Sequence, residues 1–478
     1  MSTPSICPEE LAVSERTGSF DEVVLGYDEE EALAEASRCL QCSNPLCISG
    51  CPVGINIKKF IREICQKDYK AAYLTIREKN NFASICGRVC PAEYQCRRAC
   101  VLTKKGSTFA SPAAINIHFL ERFVGDYGMR HHIEPPLEAE EGLSGFKAAV
   151  IGSGPAGLSC AGELSRRGIA VDIFESLHVS GGVLRYGIPA FRLPRDILDF
   201  EIENLKKHAV TITTNFAAGP ARSLDEFFAQ GYQAIFLGLG AGVPSFLNIF
   251  GENLCNIYSA NEFLTRVNLM RAYHFPDFHT PVNIGKKIVV IGGGNTAMDA
   301  ARAAVRLQKM RGVAIDTGVI YRRTQVEMPA RRLEIEHAAQ EGVLFNFLIQ
   351  PEAFISDGKG FVKGIRCLRC ELGVPDASGR RSPHPIAASG FEIEADLVIV
   401  ATGLKANQLL IRLTQGLKTD QYHDVLVDPE TYETSLKGVY AGGDIVGGEG
   451  TVIEAMGMGK AAARAMEVFI RGQAKDRR

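Results

Sequence analysis

Three features of the sequence predict an α/β protein built in three parts. Two glycine-rich turns, at 152–157 and 292–297, each follow a short apolar run and open an alanine-rich helical stretch. Ahead of both, nine of the fourteen cysteines crowd into residues 39–100. The expected fold is a helical, metal-binding N-terminal domain followed by two Rossmann-like dinucleotide-binding domains, the second inserted in the first. A chain of 478 residues has room for these cores.

Composition narrows the class. A formal net charge of −2 argues against nucleic acid as a partner. The longest apolar runs are strand-sized, and none approaches the roughly 20 residues of a membrane span. Residues 1–5 show neither a basic region nor an apolar one of signal-peptide type. With so many cysteines, a reducing, cytoplasmic setting is expected.

The N-terminal region is read first as a scaffold for thiols. Residues 28–38 suggest a helix with Asp28 as N-cap and acids in its first turn. Residues 55–64, 69–78 and 113–124 carry apolar residues at helical spacing. Cys65 falls on a helix face, not among the ligand candidates. Residues 129–146, with His131, His132 and an acidic run, form the expected linker.

The cysteines fall in two groups: Cys39, Cys42, Cys47 and Cys51, then Cys86, Cys90, Cys96 and Cys100. Pro52 and Pro91 follow Cys51 and Cys90. The first spacing, C-x2-C-x4-C-x3-C-P, lies close to the ferredoxin pattern, whose last cysteine serves the other of two clusters. Two [4Fe–4S] clusters with ligands exchanged between the groups are expected. Disulfides suit small secreted domains better, and zinc favours two close C-x2-C pairs. Cys7, Cys160 and Cys255 read as lone thiols. Cys367 and Cys370 lie three apart on an expected strand at 362–372, where they point to opposite faces, which disfavours a dithiol redox pair.

At the first turn, strand 148–151 leads into Gly152, Gly154, Pro155, Ala156 and Gly157, then a helix, then strand 171–175 ending in the acid Glu175. That is a complete dinucleotide fingerprint, in which the acid binds a ribose hydroxyl and repels a 2′-phosphate. At the second turn, strand 287–291 leads into Gly292, Gly294, Asn295, Thr296 and Ala297. The next strand ends in Arg322 and Arg323, guanidinium groups suited to a 2′-phosphate. An acid-tipped and an arginine-tipped unit in one chain indicate FAD in the first and NADPH in the second. Strand 397–400 leads into Ala401, Thr402 and Gly403. The later turn with Gly443 and Asp444 returns the chain to the FAD unit, where Asp444 faces the ribityl chain and Thr451 and Val452 open the last helix at the flavin edge.

Taken together, segments 38–42, 86–91, 185–189, 292–299, 327–331 and 441–444 resemble one family over about residues 22–470. It is the small (β) subunit of NADPH-dependent glutamate synthase and its stand-alone relatives. Those include the large subunit of NADH-dependent reduced ferredoxin:NADP oxidoreductase and the N-terminal half of dihydropyrimidine dehydrogenase. The resemblance implies one cluster on Cys39, Cys42, Cys47 and Cys100. It implies a second on Cys51, Cys90, Cys96 and a carboxylate, Glu121, with Cys86 a neighbour only. The segment between Cys100 and Ala114 is longer here than in the family. Implied flavin contacts are Glu175, Gly182, Val183, Arg192, Ala218, Asp444 and Val452; implied NADPH contacts are Asn295, Thr296, Arg322 and Arg323.

The expected activity is that of an NADPH-dependent oxidoreductase. It passes electrons from NADPH through FAD to the clusters, with no acid–base catalytic residue required. The chain has neither a glutaminase cysteine at its start nor room for a further barrel of about 250 residues. A partner is therefore expected in a hetero-oligomer: a larger catalytic subunit, a small flavoprotein subunit or a ferredoxin. The alternative is the large subunit of an electron-bifurcating NADH-dependent reduced ferredoxin:NADP oxidoreductase. A third reading, a structural relay with a degenerate nucleotide site, is opposed by the intact glycines and the arginine pair. Expected boundaries are 1–140 for the cluster domain, 147–280 and 404–478 for the FAD domain, and 281–403 for the NADPH domain.

Overall fold

The computed structural model describes residues 4–107, 109–135, 143–376, 379–447 and 450–476. Its N-terminal region is helical. Helix Glu29–Ser37 starts at Asp28, whose carboxylate accepts from the Glu31 N–H while Glu31 reaches back to the Asp28 N–H. Helices Ile57–Cys65 and Tyr69–Arg77 follow, and bury Phe60, Ile61, Ile64, Tyr73 and Ile76 in one core. Cys65 is exposed.

The helix expected at 113–124 begins later, as Ile117–Arg130. The Asn116 N–H is donated to the buried Glu35 carboxylate at 2.8 Å and the Asn116 side chain to the Ile6 carbonyl. These tertiary bonds hold 113–116 out of the helix. Helix Ile117–Arg130 also runs into the expected linker, of which 136–142 lies outside the described residues. It packs closely on helix Ala83–Val89 because glycines face it. A Cβ on Gly87 would sit 2.5 Å from the Arg122 nitrogen, and one on Gly125 would sit 2.6 Å from the Ser84 nitrogen. Arg88 ties the same helices through both oxygens of Asp126.

The remainder forms two parallel five-stranded sheets. In the first, the order is Val439–Ala441, Ala234–Leu237, Lys147–Ile151, Ala170–Phe174, Val210–Thr213. In the second, it is Leu344–Phe347, Thr317–Tyr321, Ile288–Ile291, Leu397–Val400, Ile257–Ser259. The first sheet draws its edge strand 439–441 from beyond the second, so the second unit is inserted in the first. The two crossings pair with each other, Ala241–Pro244 antiparallel to Leu404–Ala406. Strand Ile257–Ser259 pairs with Leu397–Val400 and so belongs to the second sheet, upstream of the expected boundary at 281. Periodicity did not reveal it because the strand is short and only half-buried.

An antiparallel sheet built on Val362–Pro375 covers the second unit. Cys367 and Cys370 on this strand are both buried and free. Among the described residues, no helix is long and apolar enough to cross a membrane.

Buried charge joins the N-terminal region to both nucleotide units. Arg77 meets Glu201 of helix Arg195–Lys206 at 2.9 Å, with both side chains almost fully buried. Arg331 of the second unit donates to the Arg88 carbonyl, and Tyr94 donates to the Ala330 carbonyl. Removing one member of a buried pair strands the other. Arg77→Met is therefore expected to cost about 3–5 kcal/mol in chemical denaturation. Adding Glu201→Leu should restore most of it.

Candidate functional site

The structure brings Cys39, Cys42, Cys47 and Cys100 to the wall of one cavity. Cys39 directly follows helix Glu29–Ser37, a left-handed Gln41 turns the chain between Cys39 and Cys42, and Cys47 sits in the short helix Leu46–Ser49. Cys100 arrives from the second group because the loops touch at a glycine. A Cβ on Gly50 would lie 2.7 Å from the Ala99 Cβ. The cavity rim carries Leu40, Leu46 and Val101, which are exposed.

A second set lies deeper. Cys51, Cys90 and Glu121 all act electrostatically on Cys96, and Cys90 and Glu121 are buried. Burial pushes the Cys51 thiol up to about 11 and the Cys47 thiol up to about 12. A hydrogen bond with Cys86, together with burial, drives Cys90 well above the usual thiol range. Burial alone pushes the Glu121 carboxyl up to about 8, against a hydrogen bond from Asn80 that lowers it. Such thiols stay protonated until a metal displaces the proton. All fourteen cysteines are free. Among the described residues no three His, Cys, Asp or Glu side chains close on a single ion; the first four thiols ring a cavity instead. Two groups of donors thus interleave across the two halves of 39–100.

Cys86 is placed differently. It is buried, with its sulfur 3.7 Å from Asn80 Oδ1 and 3.6 Å from Met456 Sδ.

Both glycine turns sit at the carboxyl ends of their sheets, where the strand order reverses. Gly152 has φ +101°, and a Cβ there would stand 2.4 Å from the Gly238 carbonyl oxygen. A Cβ on Gly157 would lie 2.0 Å from the Gly152 carbonyl oxygen, whereas one on Gly154 would meet nothing within 4 Å. The second turn repeats this. Gly292 abuts the Ala401 carbonyl, Gly294 faces open space, and Ala297 is fully buried. Helices Pro155–Arg166 and Asn295–Met310 begin at these spaces. Open room before a helix N-terminus is where a pyrophosphate fits.

Around the first turn, Glu175 accepts from the Ser153 N–H and O–H and from the Leu177 N–H. Ala218 follows strand Val210–Thr213 on the segment whose Phe216 N–H is donated to the Glu175 carbonyl. Gly182 (φ +53°) lies against Gly154 and caps the short helix Val183–Tyr186. Gly443 (φ +80°) lies against Ala156, so Asp444 stands at the same turn. Thr451 and Glu454 cap each other at the start of helix Val452–Asp476. Around the second turn, Thr296 is exposed and Asn295 accepts from the Arg331 N–H. Gly403 joins Ser245 on the neighbouring crossing.

Two of the expected contact residues also hold protein partners. Arg192, expected at the flavin, bonds both Asp299 oxygens at 2.7–2.8 Å and meets Glu334 at 3.0 Å. It therefore spans the two units. Arg323 is buried against Asp376 and the Arg381 carbonyl, while Arg322 is exposed. The two residues follow strand Thr317–Tyr321 in a bend that exposes the first side chain and buries the second. Sequence reading passed over Ser153, Gln95 and Asn80. Only the doublet at Asn80 and Asn81, polar residues between two apolar helices, offered a signal.

Comparison with known proteins agrees with this layout. The family model for dihydropyrimidine dehydrogenase domain II, 4Fe-4S cluster, matches residues 16–133. The model for pyridine nucleotide-disulphide oxidoreductase matches residues 146–459. The chain is 33% identical to the glutamate synthase [NADPH] small chain of Azospirillum brasilense, across 98% of this chain and 95% of that one. It is 38% identical to the NADP(+)-dependent formate dehydrogenase subunit beta of Moorella thermoacetica, across 94% of this chain but only 64% of that relative's length. The fold resembles that of FprA from Mycobacterium tuberculosis in complex with NADPH, with a TM-score of 0.58 and 22% identity over 69% of this chain and 86% of that one.

The glycines of the first turn can be told apart by experiment. Gly157→Ala forces backbone apart and should cost about 1–3 kcal/mol in thermal or chemical unfolding. Gly154→Ala has room in the protein alone, so unfolding of the cofactor-free chain should not change. Its flavin content after purification should fall.

Proposed function

This chain belongs to the family of the glutamate synthase small chain, in which a 4Fe-4S domain precedes a pyridine nucleotide-disulphide oxidoreductase unit; on that premise we propose that it carries electrons from NADPH, by way of FAD and two [4Fe–4S] clusters, to a partner protein. Bound in its unit, the flavin supplies hydride acceptance and single-electron release, and the clusters supply one-electron relay. The chain's own residues position these groups.

The contact between the thiol loops and the last helix is the main support. A Cβ on Gly457 would lie 3.3 Å from the Pro52 carbonyl oxygen. Gln95 donates to Thr451 Oγ1 at 3.2 Å. The second donor set thus abuts the helix start that serves the flavin edge. We read Cys51, Cys90, Cys96 and Glu121 as the inner cluster site. Cys39, Cys42, Cys47 and Cys100 form the outer one, opening at the exposed Leu40, Leu46 and Val101. The rim suits a protein acceptor, either a larger subunit of a hetero-oligomer or a ferredoxin. Residues 94–118 contain four cationic side chains, Arg97, Arg98, Lys104 and Lys105, and no acid, which favours an acidic acceptor surface. Free thiols favour a reducing compartment, the cytoplasm. In the second unit Arg322 would bind the 2′-phosphate, with Asn295 and Thr296 at the turn. We assign 1–140 to the clusters, 147–244 and 404–478 to FAD, and the insert between the paired crossings to NADPH.

Two tests follow. The anaerobically purified chain should reduce a dye with NADPH, and absence of that activity would sink the reading. Arg322→Ala should raise the KM for NADPH about 10- to 100-fold, the equivalent of about 1.5–3 kcal/mol for a charged hydrogen bond, with little change for NADH. Independently, Cys86→Ala should keep full iron content, whereas Glu121→Ala should alter one cluster. The opposite pattern would make Cys86 the ligand.

A further inference from the structure

We infer that Asn80 is a positioning residue that decides between Glu121 and Cys86 as the fourth donor to the inner thiol set. This rests on the reading of Glu121 as a ligand. Cys86 lies on helix Ala83–Val89 one turn before Cys90, whose N–H is donated to the Cys86 carbonyl. By sequence it is the nearer fourth thiol. Something must hold it away and bring in a carboxylate from another helix.

Asn80 does both. It is fully buried, just beyond helix Tyr69–Arg77, with its own N–H on the Ile76 carbonyl. Its Oδ1 accepts from the Phe82 N–H at 2.8 Å and faces the Cys86 sulfur at 3.7 Å. Two donors on one side settle which way the amide points. Nδ2 is therefore directed to Glu121, which it meets at 2.6 Å on Oε1. One carboxylate oxygen is held by the amide and the other is left for iron. The Cys86 thiol faces Asn80 Oδ1 at 3.7 Å and Met456 Sδ at 3.6 Å, and the amide, fixed by Phe82, keeps its acceptor oxygen on that side. Outer-shell partners of this kind orient ligands and govern metal affinity about 10- to 100-fold.

The test uses the full chain, purified anaerobically, as Asn80→Ala, Asn80→Asp and Glu121→Ala. Readouts are the electron paramagnetic resonance spectrum of the reduced protein, midpoint potentials by redox titration, and iron retained against a chelator. Asn80→Asp keeps the acceptor for Phe82 and Cys86 but removes the donor to Glu121. We expect both Asn80 variants to change the g values and potential of one cluster, the same one altered in Glu121→Ala. That cluster should also lose iron to chelator about 10- to 100-fold more readily. A residue that merely supports the fold would lower the melting temperature and leave both signatures in place. Should Asn80→Ala fail to fold, the isosteric Asn80→Asp decides. If Glu121→Ala changes the spectrum and Asn80→Asp does not, the inference is overturned while the ligand reading stands. If neither changes it, the ligand reading falls and the inference with it.

Discussion

The structure depends on a close approach between the loop after Cys51 and the last helix. The contact at Pro52 and Gly457 is tight, since a Cβ at 457 would press on the Pro52 carbonyl oxygen at 3.3 Å, and Gln95 to Thr451 closes it from the other group of cysteines. Electron relay requires its centres to be near one another. A loop carrying thiols has no reason to lie on a flavin-type unit unless the backbone itself is admitted there. Glycine supplies the access at 457, as it does between Gly87 and Arg122 and between Gly50 and Ala99. The thiol sets are thus positioned by missing side chains as much as by present ones.

Charge then fixes the orientation of the parts. Arg192 joins Asp299 and Glu334, Arg302 joins Glu334 and Glu341, and Arg306 and Arg16 also meet Glu341. Burial works against the ionised form of Glu334, yet Arg192, Arg302 and Arg331 hold its carboxyl low. Phe191 lies beneath the Arg302 and Arg306 guanidinium groups, with centroid distances of 4.6 and 3.9 Å. A buried network of this kind adds little net stability compared with apolar packing. Its effect is selective: a shifted lobe would strand several charges at once. Orientation between the nucleotide units is set this way at Arg192.

How far the sequence could be read follows from the range of each interaction. Both dinucleotide turns were legible, because strand, glycines, helix and tip are contiguous and each glycine has a local steric reason. The Asp28 cap was legible for the same reason. The inserted topology could be read from the late return at Gly443 and Asp444. The start of helix Ile117–Arg130 was not, since Glu35 and Ile6 decide it from far away in the chain. Strand Ile257–Ser259 was missed because three half-buried residues carry no period. The thiols were visible as two groups by spacing. That ligands are exchanged between the groups could be read from the cysteine–proline pattern; which cysteine joins which set came only from resemblance, because spacing cannot report that Gly50 touches Ala99. Asn80 was invisible as a partner of Glu121, 41 positions away.

The two nucleotide turns are built alike and tipped differently, and the difference extends beyond charge. At the first, the acid is already ordered: Glu175 is buried and accepts from Ser153 and Leu177. On the proposed reading, in which Glu175 meets the ribose, this lobe is organised before its ligand arrives, which reduces the ordering cost of binding. At the second, Arg323 pairs with Asp376 while Arg322 is exposed, and on the proposed reading Arg322 closes on the 2′-phosphate. A long exposed side chain loses rotamer freedom on each binding event and regains it on release. Preorganised acid suits a resident cofactor; mobile guanidinium suits a cosubstrate that must enter and leave in every cycle. On the proposed reading, the same strand–turn–helix frame thus serves retention at one end and exchange at the other. The distinction is set by how far each tip side chain is immobilised before its ligand arrives.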